Sequence, residues 1–260
     1  MKGLDVKEIA EKIDFHQQNG IEMGKITNDY PELTVEEAYE IQKLTIQKYM
    51  ERNDPLIGWK MGLTSKAKQI SMNVEEPIYG RLTESMELNE PVLHVKNLIH
   101  PKVEPEFAFI INKELKGGNV KPRDVWAAAE GVYLALEVID SRYENFKFTL
   151  PDVVADNASS TKFVLGSQVF SPAYTLWDKV KVTMIKNGEK VQSGYGNAVL
   201  DHPVHSVVEL TKMLNRDNLI VKPGMVVLVG GITEAVSVRA GDMLKVDYEG
   251  LDSLDLEVKE

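Results

Sequence analysis

Two glutamates one residue apart, Glu104 and Glu106, stand at the mouth of the apolar run Phe107-Ala108-Phe109-Ile110-Ile111. Side chains alternate faces along a strand, so the two carboxylates point the same way. Adjacent like charges repel unless something positive sits between them. A hard divalent cation, which prefers oxygen ligands, is one such partner. A third carboxylate, Glu137, lies inside Tyr133-Leu134-Ala135-Leu136-Glu137-Val138-Ile139, where burying it unpaired is costly. The residue types and spacing predict that Glu104, Glu106 and Glu137 hold one Mg²⁺ or Mn²⁺. The competing reading of an E-x-E pair is a solvated strand face that binds nothing. Lys60 is the cation to place beside them. It sits in Trp59-Lys60-Met61-Gly62-Leu63, and such a lysine either snorkels to the surface or is held in a pocket. Gly58 and Gly62 let backbone or ligand approach closely there.

The elements that must position these groups can be read from periodicity. Val6, Ile9, Ala10 and Ile13 recur at helical spacing, predicting a helix over 6–17. Thr34-Val35-Glu36-Glu37 reads as a capping box opening a second helix, which fades at Asn53-Asp54-Pro55. A short strand carries Lys60, and Thr64 or Ser65 caps a small helix through Ser71. The Glu104/Glu106 strand, a short helix over 123–130 and the Glu137 strand follow. Asn187-Gly188 favours a type I′ hairpin turn. Asp201-His202-Pro203 opens a helix to about Asn215, with Asp201 as the expected cap and Pro203 in the first turn. Strands over 225–229, 236–238 and 244–248 close the pattern. Helices come early and strands late, which indicates α+β rather than a doubly wound α/β sheet.

Composition narrows the function. The chain has 260 residues, 43% of them hydrophobic and 27% charged, within the normal range for a globular protein. Its net charge of −10 argues against nucleic acid or an anionic membrane surface as partner. There is no cysteine, which excludes disulfides, thiolate metal sites and cysteine nucleophiles. The N-terminal residues lack an apolar core of the signal-peptide kind, and no apolar run approaches the ~20 residues of a membrane helix; the cytoplasm is the expected compartment. Gly194-Tyr195-Gly196 and Gly230-Gly231 complete no nucleotide-binding fingerprint, and no G-x-S-x-G elbow occurs. His202 and His205 are explained by a capping turn, and Asp156-Asn157 is a turn signal first.

Several long motifs in one order carry a resemblance. Lys60-Met61-Gly62-Leu63-Thr64-Ser65, Glu104-Pro105-Glu106, the run from Glu137 to Phe148, and Val154-Ala155-Asp156-Asn157-Ala158-Ser159-Ser160 resemble the fumarylacetoacetate hydrolase superfamily, in its hydratase/decarboxylase branch from meta-cleavage catabolism of catechols. The resemblance implies an α+β fold: one catalytic domain over 1–260, with a mainly helical N-terminal region (1–85) and a mixed β-roll core (86–260). It carries the metal ligands to Glu104, Glu106 and Glu137 and the active-site lysine to Lys60. Ser159, Asn157 and Thr233 lie in segments that line the site in relatives. The implied reaction is metal-dependent decarboxylation of 2-oxohex-3-enedioate to 2-hydroxypenta-2,4-dienoate and CO₂. Alternatives within the superfamily are hydration of 2-hydroxypenta-2,4-dienoate and an acylpyruvase-like C–C hydrolysis. Hydratases resemble Gln-Pro-Asp-Phe-Gly where this chain has Glu76-Pro77-Ile78-Tyr79-Gly80, so their acidic residue is here Ile78. Arg81, Arg142 and Lys162 are the candidates to hold the distal carboxylate of a 2-oxo dicarboxylate. A homo-oligomer and a complex with the partner 2-hydroxypentadienoate hydratase are also implied. One departure is Pro105, where relatives carry Ala; proline removes a ladder N–H, so an edge or a bulge is expected there.

Overall fold

A computed structural model describes residues 4–72, 74–174 and 176–260. Met1 to Gly3 of the N-terminal stretch read above lie outside them. In chain order the elements are helices α1 (Val6–Asn19), α2 (Ile26–Asp29) and α3 (Val35–Glu51), strand β1 (Leu56–Gly62), helix α4 (Lys66–Ser71), strands β2 (Ile78–Thr83), β3 (Val92–His94) and β4 (Lys102–Ile111), helix α5 (Pro122–Ala128), strand β5 (Ala129–Ile139), helix α6 (Leu150–Ala155), strands β6 (Ser160–Phe170), β7 (Lys181–Lys186) and β8 (Glu189–Tyr195), helix α7 (Pro203–Arg216) and strands β9 (Val226–Leu228), β10 (Val236–Ser237), β11 (Met243–Tyr248) and β12 (Ser253–Lys259). The fold is α+β, as the order of periodicities predicts.

Local chemistry sets the N-terminal helices. Asp5 caps α1 by accepting from Lys7 N and Glu8 N, and Gly20 ends it in the left-handed region at φ 60. The Thr34–Glu37 capping box of α3 is present in both directions. Ile9, Ala10 and Ile13 of α1 pack on Ala38 and Ile41 of α3, in one cluster with Ile78, Tyr143 and Val153 to Ala155.

Two sheets form the core. The first runs β2-β1-β9-β4-β5-β6, with β10 pairing β4; the second runs β3-β12-β11-β7-β8. β1 and β9 are parallel within an otherwise antiparallel first sheet. That sheet curls until β2 and β6 meet. One face of β4 and β5, carrying Val103, Phe107, Phe109, Leu134, Leu136 and Val138, enters the main apolar core with the second sheet and α7. Tyr248 of β11 braces this layer: its hydroxyl donates to Ala135 O at 2.7 Å and lies 3.2 Å from Glu106 O. The glutamates occupy the other face.

Pro105 is not at a bulge but at a local edge: it pairs with Leu136 in an unbroken stretch of the β4–β5 ladder, and neither β9 nor β10 pairs with it on the other side. Its lost N–H is tolerated because β4 is bordered there by the gap between β9 and β10, where Ile232 N donates to Pro105 O at 2.9 Å. The cap of α7 is His202, whose Nδ1 accepts from Val204 N, rather than Asp201; Pro203 takes the first turn as expected. A further strand, β12, follows Leu244 to Tyr248, its alternating Leu254, Leu256 and Val258 all buried. β1 and β2, the first of which carries Lys60, already belong to the main sheet.

Candidate metal centre and its two lysines

The antiparallel register of β4 and β5 sets Glu104 directly opposite Glu137, and Glu106 opposite Ala135. Carboxylate oxygens of Glu104, Glu106 and Glu137 all lie within 4.8 Å of one another, and all three residues are buried. Lys60 reaches the same face from β1 and donates to Glu137 Oε2 at 3.1 Å. Its cross-strand partner is Gly80, where a Cβ would lie 3.2 Å from Lys60 Cγ and 2.7 Å from Asn157 O.

Other groups complete the cluster. Ser160 Oγ donates to Glu137 Oε1 at 3.0 Å. Gly230 N donates to Glu106 Oε2 at 2.7 Å. Lys68, on α4, donates to Glu104 Oε2 at 2.9 Å. Gly231 passes so close that a Cβ would sit 2.1 Å from Glu104 Oε2. The second oxygen of Glu106, Oε1, is buried with no partner among the described residues.

The electrostatics show what the cluster lacks. Burial, then the charges of Glu137 and Glu104, push the Glu106 carboxyl well above the usual range; Lys60 and the Gly230 N–H oppose this without prevailing. Glu137 is also raised, by burial first, with Lys60 pulling down and Glu104 pushing up. Burial would lower Lys68, but the fields of Glu104, Glu106 and Glu137 outweigh it and raise its pKa. Three carboxylates against two ammonium groups leave a negative excess and one orphaned oxygen. That donor set, hard oxygens in a water-poor cradle, fits a divalent cation.

The remaining predicted residues fall into different settings. Asn157 is spent on the scaffold: its Oδ1 accepts from Arg81 N at 2.7 Å and its Nδ2 donates to Arg81 O at 2.8 Å. It begins a left-handed run, Asn157, Ala158 and Ser159, at φ 51, 52 and 58, a backbone that costs each L residue roughly 1–2 kcal/mol. The run turns the chain sharply from α6 into β6, so that Ser160 meets Glu137. Ser159 Oγ is buried and has no partner among the described residues. Thr233 is buried in the loop after β9, with its hydroxyl donating to Glu234 O at 3.1 Å. Lys68, Ser160 and Gly230 are contacts that sequence reasoning missed. Ser160 stood beside the singled-out Ser159, and Gly230 carried the signal of a glycine pair. Lys68 had none, because a lysine on a short helix reads as solvated.

An α+β protein with a curled mixed sheet, converging three carboxylates and a lysine on one buried face, is the class these features define. Residues 61–259 match the family described as fumarylacetoacetate (FAA) hydrolase, C-terminal, and the chain belongs to the fumarylacetoacetate hydrolase family. It is 43% identical to a 4-oxalocrotonate decarboxylase of Pseudomonas putida, over 96% of this chain and 95% of that one. It is 36% identical to a 2-hydroxyhexa-2,4-dienoate hydratase of Comamonas testosteroni, over 92% and 91% of the two chains. A solved structure of 4-oxalocrotonate decarboxylase from Pseudomonas putida, complexed with magnesium and adipate, superposes with a TM-score of 0.94 at 42% identity, covering 97% of each chain.

Proposed function

We propose that the chain is a divalent-metal-dependent carboxy-lyase that converts 2-oxohex-3-enedioate to 2-hydroxypenta-2,4-dienoate and CO₂ in meta-cleavage catabolism of aromatic compounds. The observation that carries this reading is the buried convergence of Glu104, Glu106 and Glu137 with Lys60, in a chain whose likeness to a decarboxylase extends over nearly its full length. Glu104, Glu106 and Glu137 would hold the ion, Mg²⁺ or Mn²⁺. When bound, it supplies Lewis acidity to a keto oxygen.

The chain's own groups do the rest. The scissile C5–C6 bond lies vinylogously β to the C2 ketone. Its electron pair moves through C4 and C3 to the C2 oxygen as CO₂ leaves, and one proton added to that oxygen gives the dienol. The Lys60 ammonium, buried and oriented by Glu137 at 3.1 Å, places positive charge and a transferable proton on this face. Ser160 holds the other Glu137 oxygen at 3.0 Å, which keeps the carboxylate from rotating away. Ser159 offers a buried hydroxyl for substrate, Thr233 is the further substrate contact, in the loop after Gly230-Gly231, and Asn157 supports the site by clamping β2.

Ile78 weighs against hydration. It is buried and packs against Gly62 and Ala158, so it presents no acid to move a proton to or from water. No described helix is long and apolar enough to cross a membrane, and a cysteine-free metabolic enzyme suits the cytoplasm. A homo-oligomer and a complex with the hydratase that consumes the dienol complete the proposal, since an unstable product favours direct hand-over. The test follows CO₂ and dienol from 2-oxohex-3-enedioate with and without Mg²⁺. Metal-dependent CO₂ release is expected. Consumption of 2-hydroxypenta-2,4-dienoate without CO₂ release would make the chain a hydratase instead.

A further inference from the structure

A six-carbon 2-oxo diacid carries an anion at each end, and the glutamate cluster serves only the 2-oxo acid end. Another group must recognise the distal carboxylate. The three cations that sequence reading offered for it are engaged elsewhere. Arg81 lies over the Trp59 and Tyr79 rings, 5.5 and 5.6 Å from their centroids, and donates to Gln42 Oε1. Arg142 is clamped by Asp156 and Thr161 inside the core. Lys162 donates to Ser85 O at 2.6 Å. Lys60 and Lys68 are both on glutamates of the cluster.

Lys102 opens the strand that carries two of the glutamates. Side chains alternate along β4, so Lys102, Glu104 and Glu106 share one face while Val103, Phe107 and Phe109 enter the main core. The strand rise sets the Lys102 Cα about 7 Å from that of Glu104, a separation that an extended six-carbon chain covers, and the charge of Glu104 reaches it. β5 and β10 hold its backbone from both sides, through Ile139 and Ser237. The side chain is half-buried, and its ammonium lies over the Phe146 ring, 3.7 Å from the centroid. Among the described residues that ammonium donates no hydrogen bond and forms no ion pair. A contact with a ring face leaves ammonium N–H groups on the far side to bond an anion. The ring itself is fixed in place. Asn145 and Phe146 both take left-handed backbone, at φ 57 and 56, a conformation that a bulky residue adopts only where its surroundings impose it. Met23 N donates to Arg142 O at 2.8 Å and Glu144 N to Met23 O at 3.1 Å, which anchors the loop before the ring. Phe148 packs on the ring from beyond it, with centroids 5.5 Å apart. This aromatic wall keeps water from one side of the ammonium and so strengthens an ion pair made there.

We propose that Lys102 is a specificity-determining residue: its ammonium, backed by the Phe146 ring, pairs with the distal C6 carboxylate and so selects 2-oxo diacids over 2-oxo monoacids. This role rests on the decarboxylase reading above. The pairing orients the C5–C6 bond until it breaks. The electron pair of that bond then moves toward the C2 oxygen, C6 departs as neutral CO₂, and Lys102 exchanges no proton. The five-carbon dienol has no distal anion, so it no longer engages Lys102.

A matched pair of ligands tests it. 2-Oxohexanedioate and 2-oxohexanoate differ only in the distal carboxylate, and both are titrated calorimetrically into the Mg²⁺-loaded wild-type protein, Lys102→Met and Lys102→Arg. The wild type is expected to bind the diacid more tightly. Lys102→Met, which keeps the apolar stem against Phe146, should weaken the diacid by about 10- to 100-fold, the loss of one charged hydrogen bond. The monoacid and Mg²⁺ itself should bind Lys102→Met no more weakly than wild type, which also reports that the variant is folded. Lys102→Arg should recover part of the diacid preference. KM for 2-oxohex-3-enedioate should rise in Lys102→Met by the same factor. Equal affinity of the wild type for the two acids, an equal loss of both in Lys102→Met, or no loss of either would overturn the assignment. Absence of CO₂ release by the wild type would sink the decarboxylase reading, while the contrast between the two acids would still decide the role of Lys102.

Discussion

Glu104 and Glu137 are direct cross-strand partners in the β4–β5 pair, and both are buried. Like charges opposite one another destabilise a sheet, and here water does not screen them. Lys60 takes Glu137 and Lys68 takes Glu104, at 3.1 and 2.9 Å. Among the described residues Glu106 forms no ion pair of its own, and its Oε2 accepts from Gly230 N at 2.7 Å. The sheet is thus assembled around a charge excess that a cation relieves.

Neutralising Glu106 should separate metal binding from folding. Glu106→Gln is expected to abolish most Mg²⁺ binding in calorimetry and the Mg²⁺-dependent rise in Tm. In the metal-free protein its Tm should equal or exceed the wild-type value, because burial and two neighbouring carboxylates already disfavour the charge there. A metal-free protein several degrees less stable would assign Glu106 a structural duty instead.

Lys60→Ala should fold, bind Mg²⁺ and lose about 10²- to 10⁴-fold in kcat, the range for removing a positioned proton donor. Circular dichroism and calorimetry control for folding and loading. A rate within a few-fold of wild type would reduce Lys60 to a counter-ion of Glu137.

The clamp behind the site has its own signature. Asn157→Ala leaves Arg81 N and O, which it holds at 2.7 and 2.8 Å, without their partner. A loss of about 2 kcal/mol or more is expected in urea unfolding, since the left-handed run then loses its anchor. Stability unchanged within 0.5 kcal/mol, about the spread of ordinary surface substitutions, would show that the turn holds without it.

Acid sensitivity should appear far from the site, at Asp242. Burial alone would raise this carboxyl, but hydrogen bonds from Lys186, Asn187 and Arg239 N prevail and hold it below the usual range. The unfolded chain therefore takes up this proton at a higher pH than the folded one. The stabilisation is complete above the ordinary aspartate value, about 3.9, and disappears as the pH falls through the lower folded value. Asp242→Asn should cost about 2 kcal/mol at pH 7 in urea titrations, and the gap to wild type should narrow steadily below pH ~4. A gap that stays constant down to pH ~3 would refute the ionic account.

Much of this protein could be read without coordinates. Period-3.6 patterns located α1 and α3, because burial of one helix face imposes that period, and continuous apolar runs located β4 and β5, which are buried on both faces. The capping box at Thr34 and Glu37 was legible because a cap is a contact between residues three apart. The run around Glu137 declared an unusual carboxylate because its neighbours are all apolar. The site residues were legible chiefly through motif resemblance.

Pairing across the chain was not legible. Only the register of β4 on β5 places Glu104 opposite Glu137 rather than near it. Only the curl of the first sheet carries Lys60 to a carboxylate 77 positions away. Pro105 read as an edge or a bulge from its missing N–H, and only the structure shows the edge to be a gap between β9 and β10 inside the sheet. Asn157 read as a turn and proved to be a clamp on β2. Lys68 showed nothing until α4 brought its ammonium to Glu104. Residue types and local periods are short-range consequences of the chain, so the sequence by itself determined the elements and the chemistry they could carry. Which charges face one another is a long-range consequence of packing, and only the tertiary structure decided it.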